Sequence, residues 1–458
     1  MNKKKKIQKS VLTFTLLFSL GVSSFPLTTA IHADTREEKF AEKKQISLTE
    51  RTSLFFEYLQ QGKYAEALQL TSAAFQSKFT ANTLQNWWTQ SGIKIMGTPI
   101  IKERNLVHQT VEIPGAIEGT TIPLLIKFTP GGKVDEVGER PPQESYIPHP
   151  RYDQPASYQE REIVIGNSTY PLPATLTVPK HKPGEKVPVV VLVHGAGIHD
   201  RDATYLGTKI LRDLAVGLSS NGIAVLRYEK RTLEHALKMS AEPVTLDRDT
   251  TDDAIYAAKS AAQQEGIDPN NIFILGHSQG AGTMPRILNK APSSLVRGSI
   301  LLAPPARPLT DTAIDVSQYL GAPKEVIDEL KRQFAFILDP AFNPDHPPAG
   351  YNFPFPSPHF MYDVTRWRPV EEAKSRKEPL LILQGARDYQ VTVKDEYTKW
   401  QEGLSNRRNV QFKEYPKLNH FFTEGDGELS LPSEYEIPAN VPEYVIQDII
   451  TWVNETKK

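Results

Sequence analysis

The run Val187–Val193 (Val-Pro-Val-Val-Val-Leu-Val) limits the fold more than any other stretch of the chain. It is apolar and mostly β-branched with no polar break, the pattern of a strand covered on both faces in a parallel sheet. Helical and strand patterns alternate after it: a helix over 205–219, a strand over 223–228, a helix over 250–264 with Asp249-Thr250-Thr251-Asp252 as its acidic start, and strands over 271–277 and 298–303. The rhythm resumes with a strand at 379–385, a helix over 393–404, a strand over 410–415 and a last helix over 443–454. Such alternation predicts a mostly parallel sheet with helices on both faces. Two strands ahead of the run, 161–170 and 172–179, are expected at the antiparallel edge of that sheet.

The rhythm stops over about 305–377, where a helical portion at 323–338 is followed by a run rich in Pro, Phe and Tyr at 340–369. An insertion of this length that keeps its aromatics is expected to form a lid over the strand ends. The alternative is a packing excursion away from any site.

The front of the chain divides differently. Lys3 to Lys6 and Lys9, an apolar stretch over 11–22 and small residues near Thr28 and Ala33 have the order of a secretory signal peptide, expected over 1–33. Its apolar core is too short to span a bilayer, so the expectation is an exported protein, free or cell-surface associated, without integral membrane association after cleavage. Residues 46–138 read as helices (48–88) followed by strands at 94–101, 105–113, 121–128 and 133–137, a small α+β domain of cystatin- or NTF2-like shape. That domain shows no cluster of His and carboxylates at metal spacing. Its Trp87-Trp88 pair reads as core at a helix end or as a contact patch. Residues 139–158 hold Pro141, Pro142, Pro148, Pro150 and Pro155 and read as a linker, leaving 159–458 for the larger domain. Without the five lysines of the first segment, the 53 Lys and Arg become 48 against 54 Asp and Glu, a net −6. A mildly acidic chain with no basic run is a poor partner for nucleic acid. Cysteine is absent, which excludes disulfides, thiol nucleophiles and Cys-bound metal.

The strand at 271–277 ends in Gly276-His277-Ser278-Gln279-Gly280, and a helical pattern starts at once. A serine at the tip of a sharp strand-to-helix turn has an exposed hydroxyl, and the flanking glycines let strand and helix approach closely. Serine attacks only when a base takes its proton, and the base needs an orienting group. Three histidines lie downstream. His346 and His359 fall in the insertion, whereas His420 follows the last strand and is the expected base, with His359 as the rival. Asp388, just past the strand at 379–385, is the expected acid; a carboxylate there can also be a helix cap, and Asp363 is the alternative. Backbone donors for a tetrahedral oxyanion are expected from Gln279, beside the serine, and from Ala196, in the loop His194-Gly195-Ala196-Gly197. His194 and His277 read as structural.

These residues from about 161 onward resemble the α/β-hydrolase family, closest to secreted bacterial esterases with a G-H-S-x-G elbow, an H-G-x-G oxyanion loop and a G-x-x-D-x-x-V acid loop. The resemblance implies an α/β-hydrolase fold with a lid insertion and a Ser278-Asp388-His420 mechanism without cofactor or metal. It also implies a small-molecule ester as substrate, with short acyl or aryl chains suited to an aromatic lid. The front region resembles a domain of uncharacterised function found ahead of such hydrolases. Two other readings share the motifs: a prolyl-oligopeptidase-like peptidase, against which the missing β-propeller speaks, and a non-catalytic binding protein on the same fold.

Overall fold

The computed structural model describes residues 46–117, 119–139, 147–353 and 357–458. Residues 1–33, expected to be a signal peptide, and residues 140–146 of the expected linker lie outside them. The described chain divides into two compact units, 46–139 with 235–243 and 147–234 with 244–458.

In the smaller unit, helices α1 (Leu48–Gln60), α2 (Tyr64–Gln69) and α3 (Ala81–Ser91) lead into strands β1 (Lys94–Ile95), β2 (Ile100–Arg104), β3 (Gln109–Ile117), β4 (Thr120–Phe128) and β5 (Val134–Glu139). Ser47 and Glu50 start α1 as a reciprocal capping box. The strand expected over 94–101 is broken in two: β1 and β2 both pair with β3, on either side of Gly97-Thr98-Pro99. Phe55, Phe56, Leu59, Phe75, Val111, Ile126 and Phe128 form the core, and Trp87 and Trp88 pack half-buried against it. Residues 235–243, taken from within the stretch 159–458, complete this unit. Leu237 enters the same core, and the amides of Leu237 and Lys238 donate to Glu136 at 2.6 and 3.2 Å. The fold thereby makes a cluster that residues 46–138 do not show by themselves. His108, Asp135 and His235 bring their ligand atoms within 4.8 Å of one another. Lys238 Nζ lies 2.7 Å from Asp135 Oδ2, and His108 Nε2 lies 2.9 Å from the same oxygen, so the chain supplies its own cation there.

The larger unit holds β6 (Tyr158–Gly166), β7 (Pro171–Pro179), β8 (Val187–Val193), a hairpin of β9 (Thr204–Tyr205) and β10 (Thr208–Lys209), α4 (Ile210–Ser219), β11 (Ala224–Tyr228), α5 (Asp252–Ala262), β12 (Ile267–His277), α6 (Met284–Lys290) and β13 (Gly298–Leu302). Four helices follow, α7 (Leu309–Tyr319), α8 (Lys324–Leu338), α9 (Pro358–Arg366) and α10 (Pro369–Lys374), and then β14 (Leu380–Gly385), β15 (Val410–Tyr415) and α11 (Glu443–Thr456). The sheet runs β15-β14-β13-β12-β8-β11-β7-β6. Strands β8 and β11 to β15 are parallel, and β7 joins β11 antiparallel, as the edge expected from 161–179. Val189, Val191 and Val193 enter the core on one face while Val190 and Leu192 enter the core on the other. That two-sided burial is why β8 carries no polar position, each such side chain contributing about 1.5–3 kcal/mol.

Two local expectations are corrected. The helix expected over 205–219 begins only at Ile210, because the chain turns at Leu206 (φ 48°) and Gly207. A Cβ on Gly207 would meet the backbone carbon of Ile437 at 2.7 Å, so tertiary contact overrides the helical pattern there. The Pro-rich run contains α9, whose start is set by Ser357 accepting from Phe360 N–H and by Pro358 in the first turn. The second half of the linker is not free of the larger unit: Arg212 donates to the carbonyls of Ile147 and Pro148, and Tyr152 to that of Val441. Among the described residues no helix is long and apolar enough to cross a membrane.

Candidate active site

Strand β12 delivers Ser278 to the C-terminal rim of the sheet, where open α/β sheets place their ligands. Ser278 adopts φ 53° and ψ −119°, a backbone conformation that costs of order 1–3 kcal/mol for a residue with a Cβ. The turn is held by Ser278 N–H donating to Leu302 O and Gly282 N–H to Ser278 O, both at 2.9 Å. The two motif glycines are sterically required. A Cβ on Gly276 would lie 2.5 Å from the backbone of Gly280, and one on Gly280 would lie 2.5 Å from His194 O. A Cβ on Gly195 would come within 3.3 Å of Ser278 Cβ, so the loop after β8 lies directly against the elbow.

Asp388 and His420, 32 residues apart, meet at this rim. His420 Nδ1 lies 2.6 Å from Asp388 Oδ2, with the carboxyl fully buried and the ring nearly so. A carboxylate only accepts, so Nδ1 carries the hydrogen and Nε2 is left to act as a base. Asp388 Oδ1 accepts from the amides of Gln390 and Val391 at 2.8 and 2.9 Å. The helix-cap role belongs to Thr392, whose side chain accepts from Asp395 N–H.

His277, read from sequence as structural, is bonded to the backbone of the expected base. Its Nε2 lies 2.9 Å from the backbone carbonyl of His420, and the two rings are 4.8 Å apart. Burial, with the nearby His420, holds His277 well below the usual histidine range, so it is the neutral ring that donates from Nε2. Ser278 and His420 are thus tied through adjacent backbone, although Ser278 Oγ makes no hydrogen bond to a described residue. Bonds of this kind often tighten only when substrate is bound.

The rivals lie elsewhere. His359 pairs with Asp345 inside the insertion. Asp363 accepts from Arg286 at 2.6 Å and from Leu246 N–H at 3.0 Å, and so fastens the insertion to the body of the unit. Trp367 makes a second fastening, its indole N–H donating to Gly282 O, four residues past Ser278. His194 is buried edge-on against Tyr228 and bonds Asp200 O, a support of the loop.

Around Ala196 the carbonyls, rather than the amides, are occupied. Gly195 O and Gly197 O lie 2.9 and 3.0 Å from Lys230 Nζ, and Ala196 O lies 2.8 Å from His199 Nε2. Enclosure of its ring and the Lys230 charge push His199 down to about 4, so it too is neutral. Neither the Ala196 nor the Gln279 amide donates to an acceptor among the described residues. From sequence Asp249 reads only as part of the acidic start of a helix and Lys230 is not singled out, yet both are buried. The signal was the charged run Glu229-Lys230-Arg231 directly after strand β11, at the rim where buried charge needs a reason.

Residues 190–429 match the model of the alpha/beta hydrolase family. The chain belongs to the α/β-hydrolase family. This hydrolase is 31% identical over 407 residues to Esterase EstD of Thermotoga maritima, a match covering 87% of the chain and 94% of that protein. The match is longer than the stretch 159–458 and therefore takes in part of the front region as well. Among solved structures the hydrolase is similar to a puromycin-hydrolyzing peptidase of Mycobacterium tuberculosis, at 16% identity and TM-score 0.45, over 76% of its own chain and 46% of the other. It is also similar to Est1E of Butyrivibrio proteoclasticus, at 18% identity and TM-score 0.42, over 64% and 98% of the two chains. The hydrolase spans less than half the length of the first of these.

Proposed function

We propose that this hydrolase is an exported serine esterase that cleaves small carboxylic esters through Ser278, His420 and Asp388. The observation that carries the reading is the buried 2.6 Å bond from His420 to Asp388, held by His277 beside a serine in the strained elbow conformation. The 31% identity to an esterase over nearly its whole length supports the ester class.

In the first half-reaction Ser278 Oγ bonds to the ester carbonyl carbon while its proton passes to His420 Nε2. The carbonyl electrons move onto oxygen, which the amides of Ala196 and Gln279 receive. Collapse expels the alcohol, which takes the proton from His420. In the second half-reaction water adds to the acyl carbon with His420 again taking the proton, and Ser278 leaves with that proton as the carboxylic acid departs. Asp388 keeps the imidazole in the tautomer that accepts and offsets its positive charge.

The insertion is read as a lid because Trp367 and Asp363 tie it to the elbow turn and to α6, and its aromatics suit short acyl or aryl groups. Export rests on the order of charges and apolar residues in 1–33 and is tested by sequencing the amino terminus of protein recovered from the medium. The chemistry is tested with p-nitrophenyl esters of increasing acyl length beside aminoacyl p-nitroanilides. Ester cleavage that falls with chain length is expected. Cleavage of the amides alone would replace the reading with a peptidase, and cleavage of neither with a binding protein.

A further inference from the structure

The buried ammonium of Lys230 has three neighbours, Gly195 O at 2.9 Å, Gly197 O at 3.0 Å and Asp249 Oδ2 at 3.1 Å, one for each of its hydrogens. Lys230 is 2% exposed and Asp249 4%. A buried lysine is costly unless fully satisfied, so its place calls for an explanation. Planarity supplies one. In a trans peptide the C=O and the following N–H point in opposite directions, and none of the described peptide bonds is cis. Lys230 grips the oxygen of the Gly195–Ala196 peptide, so the Ala196 N–H must face away from it. A Cβ on Gly195, whose oxygen is the one gripped, would lie 3.3 Å from Ser278 Cβ, so this peptide borders the elbow, and the Ala196 amide has no acceptor among the described residues.

Asp249 extends the arrangement to the other donor. It comes from a π-helical turn, Asp247–Thr251, ahead of α5, a kind of irregularity frequent at functional sites. Its Oδ2 receives Lys230, the hydroxyl of Thr250 at 2.7 Å and the side-chain amide of Gln279 at 2.7 Å. One carboxylate oxygen thus holds the lysine that orients Ala196 and the side chain of the residue whose backbone amide is the second donor. Thr232 Oγ1 adds a bond to Gly197 O at 3.0 Å, which keeps the loop from turning about Lys230.

We infer that Lys230 and Asp249 are positioning residues that set the oxyanion hole, turning the Ala196 amide toward the developing charge and locking it to Gln279. The inference rests on the serine-esterase reading above. Neither side chain touches the reacting atoms; the pair acts through two backbone amides that substitution cannot remove.

The test measures p-nitrophenyl acetate turnover and inhibition by phenylboronic acid, which forms a tetrahedral adduct on the serine. Lys230→Met is expected to lower kcat by about 10²–10³, the usual cost of losing one oxyanion donor. KM should stay within about threefold, and the boronate Ki should rise in parallel with the loss in kcat, because only the tetrahedral state uses the hole. Asp249→Asn keeps the shape, removes the charge and should show the same parallel at about 10–10². If Lys230→Met fails to fold, Asp249→Asn decides. Turnover within about threefold of wild type in the folded variants, or a kcat loss with the boronate Ki unmoved, overturns the inference. Failure of the underlying reading looks different: either the wild type is inert to ester and boronate, or Ser278→Ala keeps its activity. Either result removes the inference as well.

Discussion

Each unit of this chain pairs a buried histidine with a buried aspartate and has a serine beside the pair, and the two groups are wired differently. In the larger unit His420 bonds Asp388 through Nδ1 and keeps Nε2 for other work, while Ser278 Oγ spends its hydrogen on no described residue. In the smaller unit the aspartate is the middle member. His108, Ser72 and the Lys238 ammonium all converge on Asp135, and Ser72 Oγ spends its hydrogen on Oδ1. A carboxylate that ties an ammonium, an imidazole and a hydroxyl together is an anchor. A carboxylate that holds one imidazole, with its other oxygen on backbone amides, is an orienting group. The same three residue types therefore give a fastening in one place and, on the proposed function, a proton relay in the other, and what separates them is whether the serine hydroxyl spends its hydrogen on the carboxylate.

The largest effect that could break this comparison is on turnover. Ser278→Ala and His420→Ala are expected to lower kcat/KM by about 10⁴ or more, while Ser72→Ala and His108→Ala leave it within about twofold per folded molecule. Active-site titration beside ester assays checks both halves, and a Ser72 variant that loses turnover while folded would reverse the assignment. Asp388→Asn should cost about 10³–10⁴, because the amide leaves the wrong imidazole tautomer in place. Lys238→Met sharpens the other side. It strands Asp135 as a buried carboxylate with no cation, which should destabilise the smaller unit by about 3–5 kcal/mol with turnover of the folded fraction unchanged. Hydrogen exchange of peptides within 46–139, measured in the full chain, reads this directly. His277→Ala removes the bond to the His420 carbonyl and should cost about 10–10² in kcat, since small misplacements of a base are expensive.

The elements that sequence made legible are those whose environment is uniform along their length. Strand β8 is buried on both faces, so its apolar run predicts both its type and its central place. The meeting of Asp388 and His420 at the rim that holds Ser278 was legible because each follows a recognisable strand and the chain presents them in a known order. Lys230, Asp249 and the turn at Leu206-Gly207 were not. Each depends on a partner far along the chain: Lys230 on Gly195, Asp249 on Gln279, and Gly207 on the backbone at Ile437. His235 and Lys238 are the extreme case, since nothing local marks residues 235–243 as completing a core whose other members lie before residue 140. Charged residues in helical turns read as solvated surface unless the fold is known to bury them.

The smallest effect is a dependence on pH, and it separates two adjacent carboxyls of β5. Burial would raise Asp135, but His108, the Lys238 ammonium and Ser72 outweigh it and hold that carboxyl well below the usual carboxylate range. The unfolded chain then binds the proton more readily, so this contribution to stability is complete above about pH 4–5 and is lost on acidification through the folded value. Glu136 has the opposite sign. Full burial pushes it up to about 7 against the pull of Lys238 and the two amides it accepts. Below an ordinary carboxyl value near 4.5 the folded and unfolded forms are both protonated and its contribution is whole; it drains away as the pH rises toward 7. Opening of the smaller unit, read by hydrogen exchange corrected for intrinsic rates, should be least favourable near pH 4–5 and ease on either side. Asp135→Asn should flatten the acid limb and Glu136→Gln the limb between 4.5 and 7. An upper limb that persists in Glu136→Gln would mean that the buried glutamate is already ionised in the folded unit, and that both neighbours on this strand answer to the same lysine.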